Sequence, residues 1–357
     1  MVAAAGQAVA GGLDAAISLA LYARMSAPQF PFPAMVVDTG GTNVRFATMP
    51  SPGAPLGEVV HLKTHDYPGL AEAIDAAVKG DRPRSVVVCG AGPVEGRQLQ
   101  LTNAPWLMDG PKIAEAAKLD QGLLLNDFEA QALSLPAIPA DWAAPIGPEK
   151  FGGPGPQVVL GPGTGLGVGA LVEAAGKHTP LASEACHTDF GPVDDEEWAI
   201  WPHLERAHGR ITTESVMAGQ GIVRVHHARL KAAGRTPDEA DDVAAIVARG
   251  LADRRGEEAA SIDLYWRLIA RFAGDMGISF VALGGVTLSG GVLPRILDLL
   301  DPIAFRKAFE AKAPVDALAR RIPTRLVIRA DSVLAGMAAI AANPDRYAID
   351  YETRCWR

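Results

Sequence analysis

Three glycine-rich turns carry most of the chemistry this chain could do: Asp38-Thr-Gly-Gly-Thr-Asn-Val-Arg45, Gly161-Pro-Gly-Thr-Gly-Leu-Gly167 and Ser289-Gly290-Gly291. Glycine lets a backbone approach a phosphate closely, and N–H groups with a threonine hydroxyl can bind its oxygens. Asp38 ends a strand, where a carboxylate can hold magnesium through water. Taken singly, each turn reads equally well as a plain hairpin. None is a P-loop, because GxxxxGK(S/T) does not occur. Residues 161–167 follow GxGxGxG and lead into a second strand, unlike a Rossmann fingerprint. Two Gly-Thr hairpins at strand ends are a different way to hold a nucleotide.

Asn126-Asp127 closes a hydrophobic run, Gly122–Asn126. Ligands of α/β sheets gather at the carboxyl ends of strands. Asp127 there is either the N-cap of a helix over 128–135 or a base that takes a proton from a hydroxyl during phosphoryl transfer. Glu184-Ala-Cys-His187 places Glu and His three apart, a spacing for a metal, a polyol or two surface groups. Cys186 alone does not complete a good metal set, and HExxH is absent. Glu214 reads locally as a favourable first-turn carboxylate. Cys89 reads as inert core, and Cys355 as irrelevant to chemistry.

These residues need elements to position them. Ala34–Asp38 and Val44–Thr48 predict a hairpin about a Gly-Gly turn, and Pro156–Leu160 with Val168–Val172 predict a second. Their likeness is a weak internal repeat and suggests a duplicated α/β domain. Strands are expected at 85–89, 97–101, 286–289 and 325–329. Helices are expected at 70–79, 111–118, 128–135, 214–233 with a break near Gly219–Gly221, 259–283 and 332–342, the last capped by Asp331 or Ser332. Strands and helices alternate, so the class is α/β. At 357 residues the chain is long enough for two domains. Lys plus Arg number 33 against 41 Asp plus Glu, with no basic block, which argues against nucleic acid and membrane partners. Three cysteines without CxxC disfavour a disulfide framework and a Cys-rich zinc site. Residues 2–23 are small and apolar but lack a basic lead, so they read as a packed amphipathic helix or an extension, with Pro28, Pro31 and Pro33 as a linker.

Taken in order, DTGGTNVR at 38–45, LTNAPW at 101–106, LLLNDFEA at 123–130, GPGTGLGVG at 161–169, SEACHTDFGP at 183–192, TTESVMAGQG at 212–221 and SGGVLPR at 289–295 closely resemble the bacterial glucokinase family of the actin/hexokinase/Hsp70 superfamily. The likeness runs from about residue 34 to about residue 342. It implies two RNase H-like α/β domains around an active-site cleft. The implied division is an N-terminal extension 1–33, a small domain 34–137 completed by a C-terminal helix 335–357, and a large domain 138–334.

The resemblance also implies roles. Asp38, Gly40, Gly41 and Thr42 match the first phosphate loop, with Asp38 near Mg²⁺. Gly163, Thr164 and Gly165 match the second phosphate loop, and Gly290 and Gly291 the segment beside adenosine. Asp127 matches the base for the sugar 6-hydroxyl. Asn126, Glu184, His187 and Glu214 match sugar contacts, and Asn103 a further approach to the sugar. The implied activity is ATP-dependent phosphorylation of glucose to glucose 6-phosphate, in the cytoplasm, with a homodimer as the assembly to test. Alternatives are a kinase of mannose, fructose or glucosamine, and a sugar-sensing regulator without turnover. Cys186 departs from the family, which commonly has Gly there. The related ROK repressors and kinases carry a Cys-rich zinc motif that is missing here, so no structural zinc is expected.

Overall fold

The computed structural model describes residues 27–102, 104–147 and 150–357. The chain divides into two compact units. Of the described residues, the first takes those up to Ile138, Leu171–Pro180 and Asp331–Arg357; the second takes Pro139–Ala170 and Leu181–Ala330. Asn103 and all but the last residues of the expected N-terminal extension lie outside the described residues.

The first unit is built on β1 (Ala34–Thr39), β2 (Asn43–Met49), β3 (Val60–Lys63), β4 (Ser85–Gly90), β8 (Gln121–Asn126) and β15 (Cys355–Trp356). Their order is β15-β8-β4-β1-β2-β3. β5 (Val94–Glu95), β6 (Gln98–Gln100) and β7 (Leu107–Asp109) form a separate small sheet. β1 and β4 are near-continuous apolar runs, as strands covered on both faces must be. β1, β4 and β8 run parallel, and β2 returns antiparallel to β1. The register puts Thr39, Gly90 and Asn126 side by side at the carboxyl ends of the three parallel strands. Asp38 lies one residue below that line, beside Cys89 on one neighbour and Arg45 on the other.

Helix Asp127–Ser134 leaves directly from β8, and helix Ser332–Ala342 lies in the same unit. The apolar core joins Val37, Phe46, Val88, Ile113, Leu124 and Trp356. Residues 27–33, expected as a linker, are fastened to this unit. Ala27 N–H donates to Asp345 at 2.8 Å, and the Pro31 carbonyl accepts from Ser85 Oγ at 2.7 Å. Phe30 is buried.

The second unit is built on β9 (Ala143–Ile146), β10 (Gln157–Pro162), β11 (Leu166–Ala174), β12 (Lys177–Ser183), β13 (Gly285–Leu288) and β14 (Thr324–Val327). Their order is β12-β11-β10-β13-β14-β9. Each sheet therefore repeats one plan: a meander of three strands, two further parallel strands, and an antiparallel edge strand. The repeat suggested by the two Gly hairpins is a repeat of topology. Residues 171–180, the distal part of the β11–β12 hairpin, group with the first unit, which a boundary at 137/138 does not anticipate. Helix Glu257–Ser279 is the longest of the second unit and is buried along most of its length. The helical run 214–233 breaks as its glycines require, into Thr213–Met217 and Gly221–Ala232. Among the described residues no helix is long and apolar enough to cross a membrane.

Candidate active site

In the first unit the β1–β2 turn is tied on both sides. Gly40 N–H donates to the Asn43 carbonyl at 2.9 Å, and Thr64 Oγ1 donates to the Gly40 carbonyl at 2.8 Å. Thr42 stands exposed at the tip. Asp38, half-buried at the strand end, forms an ion pair with Arg45, its cross-strand neighbour. Its other oxygen accepts the Cys89 thiol at 3.4 Å. Arg45 also faces Asp331 at 3.8 Å. Asp331 occupies the expected cap position of helix Ser332–Ala342 but makes no side-chain cap bond. Burial, then the charges of Asp38 and Asp127, push the Cys89 thiol well up. It is therefore a protonated, unreactive group that donates to Asp38. Neither Arg45 nor Cys89 stands out in the sequence as a partner of Asp38; the register of β1 against β2 and β4 makes them so.

Asp127 is the first residue of helix Asp127–Ser134, and it is not the cap. Asn126 caps instead: its Oδ1 accepts from Phe128 N–H at 3.0 Å and Glu129 N–H at 3.2 Å, and Glu129 returns a bond to Asn126 N–H. The Asn126 amide donates one N–H to the Gly92 carbonyl at 3.0 Å. Asn126 thus spends most of its hydrogen-bonding capacity on the fold, whereas the Asp127 carboxylate accepts Phe128 N–H at 3.0 Å, with its own N–H and the Asn126 side chain also within reach. Burial, and behind it the negative charge of Asp38, raise the Asp127 carboxyl above the usual carboxylate range, against the lowering by the Phe128 N–H. Glu129 is in turn held by Arg354, at 2.7 Å from both oxygens.

The second unit carries the other two glycine segments. Gly163 N–H closes the tip of β10–β11 on the Gly165 carbonyl at 2.7 Å, and Gly219 N–H donates to the Gly163 carbonyl at 2.8 Å. A Cβ on Gly161 would lie 2.7 Å from the Ser289 carbonyl oxygen. Gly290 adopts φ +100°, and a Cβ there would lie 2.3 Å from the Pro162 carbonyl oxygen. The two segments are packed backbone on backbone, which only glycine permits. Gly163, Thr164 and Gly291 remain exposed.

Glu214 sits in the first turn of helix Thr213–Met217, which is capped by a Thr212–Ser215 box. Its Oε2 accepts Leu166 N–H at 2.9 Å, so the carboxylate braces the phosphate-loop candidate. Its Oε1 lies 3.8 Å from His187 Nδ1, and Glu184 Oε2 lies 3.6 Å from His187 Nε2. Glu184, His187 and Glu214, scattered over 31 positions of sequence, thus stand around one imidazole. The short turn Ala185–His187 between them is pinned by Thr213 Oγ1, which bonds to the Cys186 carbonyl at 2.6 Å. Cys186 is buried, and burial together with Glu214 and Glu184 pushes its thiol up to about 11.

This arrangement offers a raised carboxyl beside a strand-end carboxylate in one unit. In the other it offers a backbone mould suited to phosphates and a carboxylate–imidazole group suited to sugar hydroxyls. The family model described as Glucokinase matches residues 35–344. A glucokinase of Allorhizobium ampelinum is 37% identical over 330 residues, covering 92% of this chain and 97% of that protein. Among solved structures, a glucokinase from an Antarctic psychrotroph aligns with TM-score 0.78 at 27% identity, over 88% of this chain and 100% of that one. A ROK family glucokinase from Streptomyces griseus, solved with glucose and AMPPNP, aligns with TM-score 0.56 at 20% identity, over 86% of this chain and 98% of that one, and shares the fold.

Proposed function

The chain belongs to the glucokinase family and carries out ATP-dependent phosphorylation of glucose, and from that premise we propose that Asp127 is the general base that takes the proton from the sugar 6-hydroxyl as it attacks the γ-phosphoryl group. One observation carries this reading: Asn126 performs the capping, which leaves the raised Asp127 carboxylate for chemistry. A base whose pKa moves toward the working pH is better matched to its task.

Glu184 and Glu214 accept sugar hydroxyls, His187 donates or accepts, and Asn126 offers its remaining N–H. A site of fixed donors and acceptors can reject an analogue that lacks a bonded hydroxyl by up to roughly 10⁴–10⁵. Gly40, Gly41 and Thr42 with Gly163, Thr164 and Gly165 receive the phosphates, and Gly290 and Gly291 lie beside adenosine. Asp38 supplies the hard oxygen that Mg²⁺ prefers, and a single carboxylate reached through water suits a cation that takes its other ligands from phosphate. That ion would neutralise the charge developing on the transferred phosphoryl group. A cytoplasmic location suits this reading, because ATP is supplied there. A homodimer is checked by light scattering.

The test is ADP release from ATP and Mg²⁺ with a panel of hexoses, alongside Asp127→Ala. Glucose-dependent release should fall about 10²–10⁴-fold in the variant, while calorimetry still detects glucose binding. A higher rate with mannose, fructose or glucosamine would keep the mechanism and change the acceptor. Unchanged release in the variant would remove Asp127 from the mechanism. Binding without turnover in the parent would leave a sensor.

A further inference from the structure

We propose that Glu184, Cys186 and His187 form a site for a soft divalent cation of the zinc class, and that a cation held there excludes the sugar. The exclusion rests on the reading of Glu184 and His187 as sugar contacts; the cation site does not.

The three residues bring one carboxylate oxygen, one sulfur and one ring nitrogen within 4.8 Å of one another. Cys186 Sγ lies 3.9 Å from Glu184 Oε2, and His187 Nε2 lies 3.6 Å from the same oxygen. Bonds of about 2.0–2.3 Å to a tetrahedral zinc ion imply ligand separations of roughly 3.3–3.5 Å. The two separations from Glu184 exceed these by a few tenths of an ångström, and the sulfur and ring nitrogen lie within 4.8 Å of each other. Glu184 and His187 have exposed side chains that can close that gap, whereas Cys186 is buried and fixed.

Two further features suit a cation. Thr213 Oγ1 bonds to the carbonyls of both Ala185 and Cys186, so the backbone that carries the three ligands is already in place. The second ring nitrogen of His187 faces Glu214, whose own orientation is set by Leu166 N–H. A carboxylate behind a ligating imidazole orients the ring and raises its basicity. Sulfur and imidazole together select zinc-like ions over magnesium. On binding, the thiol loses its proton to the buffer, and thiolate with Glu184 balances the two positive charges. Three protein ligands leave one position open, as at zinc sites that keep a water. A glycine in place of Cys186 would supply no sulfur, so the site is a property of this chain and not of the fold.

The experiment uses Co²⁺ as the probe with the full-length protein, with and without glucose, for the parent and Cys186→Ala. Cys186 takes no part in the proposed sugar contacts. A near-ultraviolet thiolate-to-cobalt band should saturate at one equivalent in the parent and be absent from Cys186→Ala. Glucose should diminish the band, and Zn²⁺ should inhibit turnover competitively with glucose. Cys186→Ala should tolerate at least about tenfold more Zn²⁺. A folded parent without the band, or a band of equal size in Cys186→Ala, overturns the cation site. A band that needs Cys186 but ignores glucose keeps the site and overturns the sugar role of Glu184 and His187. A missing band together with a raised glucose KM in His187→Ala overturns the cation site alone.

Discussion

β1–β2 and β10–β11 are the same hairpin at the same place in two sheets of the same order, yet they differ at the residue that matters most. The fifth residue of β1 is Asp38; the fifth residue of β10 is Gly161. Beside Asp38, the neighbouring strands supply Cys89 and Arg45, which leave room for a carboxylate and hold it by hydrogen bond and ion pair. Beside Gly161, the residue that follows the neighbouring strand supplies the Ser289 carbonyl, which leaves no room even for a methyl group. The first hairpin presents a charge and the second presents backbone. The second borrows a carboxylate, Glu214, from a helix, and uses it as a brace. A duplicated scaffold can thus carry two unlike jobs, because the strand next to each hairpin decides whether a side chain fits.

Within the two hairpins, the largest expected effect tests the charged half. Asp38→Asn removes the ion pair with Arg45 and the proposed hard ligand for Mg²⁺. We expect kcat to fall about 10²–10³-fold, as on removal of an electrostatic stabiliser, with a higher Mg²⁺ requirement in steady-state assays. Equal activity at low Mg²⁺ would break the contrast with Gly161.

The next tests the backbone half. Gly161→Ala must push Ser289 away, and overpacking of this kind costs about 1–3 kcal/mol. Gly163→Ala, two residues on, meets nothing within 4 Å and should stay within about 0.5 kcal/mol of the parent in urea unfolding. Equal losses in the two variants would mean that the close packing of the two glycine segments is not what stabilises the loop.

An effect of similar size separates bracing from sugar binding. Glu214→Ala leaves Leu166 N–H without its acceptor and should cost about 1–3 kcal/mol. Glu214→Gln keeps an oxygen for that N–H, so it should recover most of the stability in thermal melts while glucose KM stays raised. If the two variants were equally unstable, the carboxylate charge would be the stabilising element and not the hydrogen bond.

The smallest effects are the shifts in melting and in pH profile that Asp127 sets. Its carboxyl is raised on folding, so the folded state favours the protonated form. Stability from this group is present at low pH and declines as pH rises through the raised value. Asp127→Asn should therefore melt slightly higher than the parent at neutral pH while losing turnover. In the parent, kcat/KM should fall on acidification at a pH above the ordinary carboxylate range. Because the charge of Asp38 contributes to the rise, Asp38→Asn should move that fall to lower pH, which residual activity profiles would record.

Much of the scaffold was legible in the sequence. Gly-rich turns between β-rich runs can be little else than hairpins, and Ala34–Val37 and Val86–Val88 are too apolar for anything but buried strands. The break of the 214–233 helix was readable from Gly219 and Gly221. The cap of helix Asp127–Ser134 was not. Asn126 and Asp127 are both good caps, and local sequence does not choose between neighbours. The choice came from register: β4 and β8 pair Gly90 with Asn126, which ends the strand there and starts the helix one residue later. Arg45 and Cys89 were equally silent, because a strand sequence does not say what lies across from it.

What the sequence determined by itself was local: which segments become strands, where glycine must turn the chain, and which carboxylates, imidazole and hydroxyls are available. Periodicity and backbone sterics act over a few residues, so a few residues suffice to read them. What the tertiary structure decided was who meets whom. Asn126 rather than Asp127 caps, Asp38 pairs with Arg45, Glu214 braces Leu166, and Cys186 is buried beside Glu184 and His187. Each of these depends on strand register or on a turn pinned from a distant residue. Hydrogen bonds and ion pairs act over a few ångströms of space, whatever the separation along the chain.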